Sequence, residues 1–295
     1  MEKEKNCICL KKNEWFFEER LPGINEIVKT GIKIKKKVFS QKTLYQKIEI
    51  YDTFQLGRIL VLDGIVQLSR FDDFIYHEML VHPAMLYHKN PKKVLIIGGG
   101  DGGALREVLR YHIEEAYLAD IDKKVIEISR RYLPFISNGA FKDKKTKIFT
   151  EDGIKFIRKY ENFFDVIIVD STDPIGPSLS VFSNNFYKDT FKALTREGIL
   201  VVQSGCLLDQ FSHLKSIYKK LKNIFHFVKI HKAYVPCFGC SSEYSFTVAG
   251  KRNIEKLKIE DLEEKFKRLN IKTKYYSPEI HFASAVLPKY LKGIL

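Results

Sequence analysis

The sequence predicts an α/β protein, a doubly wound sheet preceded by a small β-rich domain. Three observations predict it. From Val94 onward, short apolar runs alternate with amphipathic segments. The first run leads into a glycine-rich turn, Gly98-Gly99-Gly100-Asp101-Gly102-Gly103. Acidic residues then close later runs, at Asp120, Asp152 and Asp170. Strands that read as continuous apolar runs between helices belong to a parallel sheet covered on both faces. A chain of 295 residues suits one large and one small domain, divided here into 1–70 and 71–295.

Residues 1–70 read as short strands and turns. Trp15-Phe16-Phe17 opens the region, and strands are expected at 32–39, 46–51 and 58–62. Leu62-Asp63-Gly64 is a turn signal, after which Ile65-Val66-Gln67 resumes the strand. The lysines from Lys33 to Lys37 alternate with Ile32, Ile34 and Val38, as in a strand with one wet face at a lysine-protected sheet edge.

Residues 73–87 have helical periodicity, and Pro83 is expected to kink or break that helix. The alternation then runs strand 94–97, helix 105–109, strand 116–119, helix 125–132, strand 146–149 and helix 154–160. Strand 166–169, helix 184–194, strand 199–202 and helix 212–224 follow, then strands near 227–234 and 244–248. A helix at 259–269 and a segment at 280–288 close the chain.

Composition is that of an ordinary globule. The net charge is +14, with lysines dispersed among glutamates, which argues against a nucleic-acid face. The N-terminal stretch is charged, and no apolar run is long enough to span a membrane. The five cysteines, Cys7, Cys9, Cys206, Cys237 and Cys240, are an odd number. With no signal sequence, that predicts a reducing, cytoplasmic setting. Cys237 and Cys240 form a Cys-x-x-Cys, open to three readings: structural thiols, a disulfide, or half a metal site.

In a doubly wound sheet, ligands sit outside the C-terminal strand ends, where the glycine turn lies. Asp120 falls at the distance downstream where a carboxylate takes ribose hydroxyls. Asp152 can accept from an adenine amino group. Each is by itself equally a helix cap. Asp101 separates the ligand classes. Inside the glycine turn it would repel a pyrophosphate and attract an aminium or sulfonium. No Gly-Lys-Ser/Thr ends the motif, so a P-loop is excluded. A sulfonium nucleoside fits best.

Asp170-Ser171-Thr172-Asp173-Pro174-Ile175-Gly176-Pro177 follows the most apolar strand. Two carboxylates in a short loop can cap a helix, hold a metal or hold a polyamine. Zinc would need converging His or Cys. Together the acidic clusters suggest a cationic donor beside a cationic acceptor, hence alkyl transfer to an amine.

On these residues the chain resembles the spermidine synthase family, the polyamine aminopropyltransferases. The resemblance spans nearly the whole sequence. Its motifs are Leu62 to Gln67, Asp73-Phe74-Ile75-Tyr76-His77-Glu78-Met79, Val94 to Glu107, Asp170 to Pro177, and Tyr275 to Pro288. It implies a Rossmann-like (methyltransferase-type) catalytic domain, an N-terminal β-domain, and a homodimer or homotetramer. It implies transfer of the aminopropyl group of decarboxylated S-adenosylmethionine, a co-substrate, to a diamine. Putrescine is the commonest acceptor; spermidine and methylthioadenosine are the products. No cofactor, metal, nucleic acid or membrane is implied.

Carried onto this chain, the resemblance makes Asp170 and Tyr76 the catalytic pair flanking the attacking amine. Asp101 holds the aminopropyl ammonium, and Asp173 the distal amine. Gln46, Asp120 and Asp152 bind the nucleoside, with Gly153 near adenine. Gln67, His77 and Trp15 shape the pocket. A small-amine methyltransferase is the alternative chemistry, and a polyamine-binding protein without turnover the alternative class. The family's Pro-Thr-Tyr turn is replaced by Val235-Pro236-Cys237-Phe238-Gly239. Either Cys237 or Phe238 takes the tyrosine's place. Acceptor preference is therefore open to agmatine, cadaverine or a longer polyamine.

Overall fold

The computed structural model describes residues 14–18, 30–172, 176–240, 242–254 and 257–292. Within these, the chain separates into two units: one contains the residues up to Phe71 with Cys237–Gly239, the other the remainder. Asp173, Cys7 and Cys9 lie outside the described residues.

In the first unit, β1 (Trp15–Phe17), β2 (Gly31–Lys42), β3 (Lys47–Thr53), β4 (Arg58–Leu62) and β5 (Ile65–Ser69) form a sheet in sequence order. Neighbours are antiparallel. Asp63 and Gly64 adopt φ of 47° and 79°, the left-handed pair that a tight β4–β5 hairpin requires. Ile48, Ile50, Ile59, Val61 and Val66 are buried. β1 pairs only with Gly31–Lys33 of β2, so among the described residues Lys35 to Lys37 have a strand neighbour on the β3 side alone. The lysines of β2 are held locally, Lys37 by Glu49 at 2.7 Å and Lys33 and Lys35 over the Phe54 ring.

The second unit begins with α1 (Asp73–Tyr87), which contains Pro83 without ending there. α1 is tied to the C-terminal segments at two places, Glu78 and its C-terminal end. The Glu78 carboxylate accepts the backbone N–H groups of Lys274, Tyr275 and Tyr276 at 2.8–2.9 Å. Lys265 Nζ donates to the Leu86 and His88 carbonyls, which a helix terminus leaves without partners.

The sheet that follows comprises β6 (Lys93–Gly98), β7 (Glu115–Asp120), β8 (Thr146–Thr150), β9 (Phe164–Asp170), β10 (Leu194–Cys206), β11 (Phe227–Ala233) and β12 (Tyr244–Gly250). Its order is β11-β12-β10-β9-β6-β7-β8. β12 runs antiparallel to β10 and β11, and the pairings from β10 to β8 are parallel. The order reverses at β6, so the crevice for a ligand lies at its C-terminal end.

The intervening helices are α2 (Gly103–Val108), α3 (Lys123–Tyr132), α4 (Pro134–Ser137), α5 (Gly153–Ile157), α6 (Asn184–Ala193) and α7 (Phe211–Lys222); α8 (Ile259–Leu269) and α9 (Pro278–Ser284) close the fold. Leu95, Ile97, Ile167, Val169, Leu200 and Val202 pack with Phe156, Phe186, Tyr187 and Ile217 of α5, α6 and α7. The alternate residues Val94, Ile96, Ile168 and Val201 are fully buried too. Strand side chains alternate between faces, so both faces of the sheet are covered.

The cysteines depart from the sequence reading. Cys240 is bonded to Cys206 at the end of β10, not to Cys237. Cys237 is a buried thiol in the turn Pro236–Phe238. Spacing along the chain drew attention to Cys237–Cys240, whereas β10 and β12 pair side by side and bring together cysteines separated by 34 residues. No helix of the described residues is long and apolar enough to cross a membrane.

Candidate active site

The C-terminal ends of β6 to β9 deliver four carboxylates. Asp101 lies in the turn between β6 and α2, Asp120 ends β7, Asp152 precedes α5, and Asp170 ends β9. The glycine turn is shaped by what it must pass. Gly98 pairs with Asp170 at φ 81°, and a Cβ there would lie 2.1 Å from the Asp170 carbonyl oxygen. Gly99 N–H donates to that same carbonyl at 2.9 Å. The glycines thus bring the Asp101 turn against the end of β9.

Asp170 Oδ1 accepts the Tyr76 hydroxyl of α1 at 2.8 Å. Oδ2 is buried without a hydrogen-bond partner among the described residues. Burial, with the nearby Asp101 charge, pushes the Asp170 carboxyl up to about 6, against the Tyr76 hydrogen bond and His77, which lower it. The Tyr76 ring is fixed by Tyr244 and Phe246 of β12, at 5.9 and 5.5 Å between centroids. Burial and Asp170 drive its phenol well above the ordinary tyrosine range. It is a hydrogen-bond donor and not an acid of neutral solution.

Asp101 Oδ1 accepts the Gly103 N–H at 2.7 Å and stands 3.2 Å from His77 Nε2. Although burial opposes it, the His77 charge and these hydrogen bonds hold Asp101 below the usual carboxylate range. Single ligating atoms of His77, Asp101 and Asp170 lie within 4.8 Å of one another. Both His77 nitrogens face carboxylates, Nε2 Asp101 at 3.2 Å and Nδ1 Asp73 at 3.5 Å. Cys206, Asp209 and Cys240 also cluster, but the disulfide leaves no thiolate there.

Asp120 accepts the Asp122 N–H at 2.8 Å. Burial lifts its carboxyl to about 7, with the charges of Asp122 and Asp101 adding to the effect. A Cβ on Gly100 would meet its Oδ2 at 2.6 Å, so the glycine turn lies against this carboxylate. Asp152 caps α5, accepting the Ile154 N–H at 2.8 Å. Gly153 is needed for packing, since a Cβ would strike Ile97 at 2.3 Å.

Of the expected residues, the second unit brings together Tyr76, His77, Asp101, Asp120 and Asp170, with Asp152 and Gly153 at the next strand end. Trp15, Gln46 and Gln67 belong to the first unit, on β1, before β3 and on β5. Sequence reasoning missed Gln203, which is buried on β10. Its Nε2 donates to the carbonyls of Ser171 and Thr172 at 3.0 and 3.4 Å, and its Oε1 accepts the Tyr244 hydroxyl. It fixes the backbone just beyond Asp170. The available signal was an amide directly after the apolar run Ile199–Val202.

The arrangement suits a cation held by Asp101 beside a group that gives a proton to Asp170. Comparisons with known proteins agree in kind. Residues 73–259 match the spermine/spermidine synthase domain and residues 14–70 the spermidine synthase tetramerisation domain. A polyamine aminopropyltransferase of Thermoanaerobacter sp. (strain X514) is 42% identical over 282 residues, 95% of this chain and 98% of that one. One from Thermococcus onnurineus (strain NA1) is 40% identical over 266 residues, 90% and 92% of the two chains. Spermidine synthase from Thermotoga maritima superposes with a TM-score of 0.88 at 35% identity, covering 97% of this chain and 95% of that one. A spermidine synthase bound to the transition-state analogue AdoDATO gives 0.90 at 35% identity, covering 97% and 96%.

Proposed function

The chain belongs to the spermine/spermidine synthase family, and on that premise we propose that it is a polyamine aminopropyltransferase. It moves the aminopropyl group of decarboxylated S-adenosylmethionine to a diamine, putrescine first, giving spermidine and methylthioadenosine. The observation that carries this reading is the Asp170 carboxylate. One oxygen is fixed by Tyr76 at 2.8 Å and the other is buried without a partner among the described residues, close to Asp101.

An alkylammonium has no lone pair and, at an ordinary pKa near 10, is protonated at neutrality. Asp170 orients the acceptor amine and receives its proton. The amine nitrogen then attacks the aminopropyl carbon bonded to the sulfonium. An N–C bond forms, the C–S bond breaks, and its electron pair returns to sulfur, which leaves as the neutral thioether of methylthioadenosine. The proton passes from Asp170 to solvent. Asp101 holds the donor ammonium, so the reacting carbon is positioned before attack.

Asp120 takes the ribose hydroxyls. Asp152, Gly153 and Gln46 take the rest of the nucleoside, and Trp15, Gln67 and His77 shape the pocket. Asp173 anchors the distal amine. The same reading makes the protein a cytoplasmic homodimer or homotetramer acting on small molecules. The match of residues 14–70 to a tetramerisation domain supports the assembly.

A second acceptor is favoured by one observation. Neither Cys237 nor Phe238, in the turn Pro236–Phe238, supplies the phenol of the family's turn. Agmatine, cadaverine or a longer polyamine would then replace putrescine. The test is chromatography of products from the purified protein with decarboxylated S-adenosylmethionine and these amines. Methylthioadenosine with one aminopropylated product is expected. No turnover on any amine, with intact S-adenosylmethionine giving S-adenosylhomocysteine instead, would replace the reading with methyl transfer.

A further inference from the structure

Behind Asp101 a row of alternating charges runs back into the protein. His77 Nε2 stands 3.2 Å from Asp101 Oδ1, and its Nδ1 stands 3.5 Å from Asp73 Oδ2. Arg106 donates to that same Asp73 oxygen at 2.8 Å and to Glu107 at 2.6 Å. Glu107, fully buried, also faces Arg110 at 2.6 Å and His82 at 3.2 Å. His77 is itself 1% exposed along its side chain. Its ring is confined by the turn, since a Cβ on Gly103 would fall 2.2–2.5 Å from ring atoms.

A neutral imidazole carries one N–H, so it can donate to only one carboxylate and must aim a lone pair at the other. His77 Nε2 faces Asp101 at 3.2 Å, while Nδ1 is buried 3.5 Å from Asp73 Oδ2 without making a hydrogen bond among the described residues, so Asp73 acts on the ring as a nearby charge that favours the imidazolium. Asp73 is shared between Arg106 and His77, and Asp101 and Asp170 face the ring on the site side.

We propose that Asp73 is a positioning residue, holding His77 as a fixed imidazolium that orients Asp101 and keeps Asp170 ionised for the incoming amine. The groups that face His77 agree in direction. Asp73 on its own helix, Asp101 in the glycine turn and Asp170 at the end of β9 favour the charged ring; Arg106 on α2 and burial oppose it. The balance lifts His77 to about 10, and its charge in turn lowers Asp170. The same cation disfavours the protonated form of an acceptor amine nearby, so it promotes the nucleophile as well as its base. This role rests on the proposed aminopropyl transfer, in which Asp170 receives the proton.

The test has two arms. In the wild-type protein, 15N NMR of the histidine side chains should show His77 with both nitrogens protonated at pH 7 and no titration below about pH 9. In Asp73→Asn, which removes the charge at nearly constant volume, His77 should titrate at least one unit lower. In that variant the alkaline limb of kcat/KM should appear about one pH unit lower, as His77 loses its charge while Asp170 is still ionised. Unchanged binding of methylthioadenosine, which has no aminopropyl ammonium, reports that the variant is folded.

A neutral His77 in the wild type overturns the proposal. So does a folded Asp73→Asn protein whose His77 titration and alkaline limb are unmoved. A wild type without aminopropyl transfer would sink the functional reading, and the NMR arm would still decide the state of His77.

Discussion

The Tyr76 hydroxyl donates to Oδ1 of Asp170 at 2.8 Å across 94 residues of chain, from a helix to the end of a strand. The bond occupies one carboxylate oxygen, and in the proposed mechanism the other receives the incoming amine. Asp170→Asn keeps the shape and removes the proton acceptor. It should lower kcat by about 10²–10⁴-fold with little change in donor affinity. Tyr76→Phe loses one hydrogen bond and should cost about tenfold. Single-turnover rates with saturating donor separate these effects from binding; equal, small losses in both variants would remove the pair from the chemistry.

The pH dependence follows from the same carboxylate. Asp170 sits at about 6 and must be ionised to take a proton, so activity should rise through pH 6 and level off above it. The Tyr76 hydrogen bond favours the ionised form. In Tyr76→Phe the acid limb should therefore move to higher pH. A limb that moves down, or an unshifted limb in an active variant, would assign the ionisation to another group.

Much of this site was legible because its chemistry is local in sequence. The glycines from Gly98 to Gly103 sit at a strand end, so Asp101 could be expected at the C-terminal edge of the sheet from spacing alone. Asp120 and Asp170 followed from alternation of strands and helices. What was not legible depends on tertiary pairing. Gln203 matters through carbonyls 31 and 32 residues away, and Cys240 finds Cys206 through the β10–β12 pairing. Asp73 and Arg106 read as ordinary helix charges until α1 and α2 pack together. Pro83 shows the reverse: a local rule predicts a kink or a break, and α1 continues through it to Tyr87.

Asp101 should set donor selectivity. Its ionised carboxylate favours an aminopropyl ammonium and repels the carboxylate of intact S-adenosylmethionine. In Asp101→Asn, affinity for the decarboxylated donor should fall by about tenfold or more, while affinity for methylthioadenosine stays within about twofold. Calorimetric titration of both nucleosides checks this. Equal losses for the two would mean that Asp101 supports the turn and does not read the ammonium.

The Cys206–Cys240 disulfide closes a loop of 34 residues, which in the chain-entropy account is worth about 3–4 kcal/mol. Cys206→Ser should lower the apparent melting temperature by several degrees. Mild reductant should do the same to the wild type and leave the variant unaffected. Alkylation of the denatured protein should gain two sites on prior reduction. If it gains none in protein purified without reductant, the pair is a dithiol in that protein and reductant should have no effect on melting.

Glu78 is the strongest test of how the C-terminal segment is held. Its two oxygens, on a side chain buried in α1, accept three consecutive backbone N–H groups, those of Lys274, Tyr275 and Tyr276. Truncation leaves three donors without their acceptor, and at least the Tyr276 bond is fully buried. With roughly 1–3 kcal/mol for each such group, Glu78→Ala should destabilise by about 3 kcal/mol or more. Glu78→Gln retains one carbonyl acceptor but presents an N–H₂ to a donor, so it should recover only part of the loss. Tyr276→Phe tests a different link, because the Tyr276 hydroxyl partners His281 rather than Glu78. Because the Tyr276 N–H is itself one of the Glu78 donors, the losses from Glu78→Gln and Tyr276→Phe should be coupled in the double variant, measured by denaturant unfolding. A Glu78→Ala protein with wild-type stability would show that water replaces the carboxylate, and that the segment is held by other contacts.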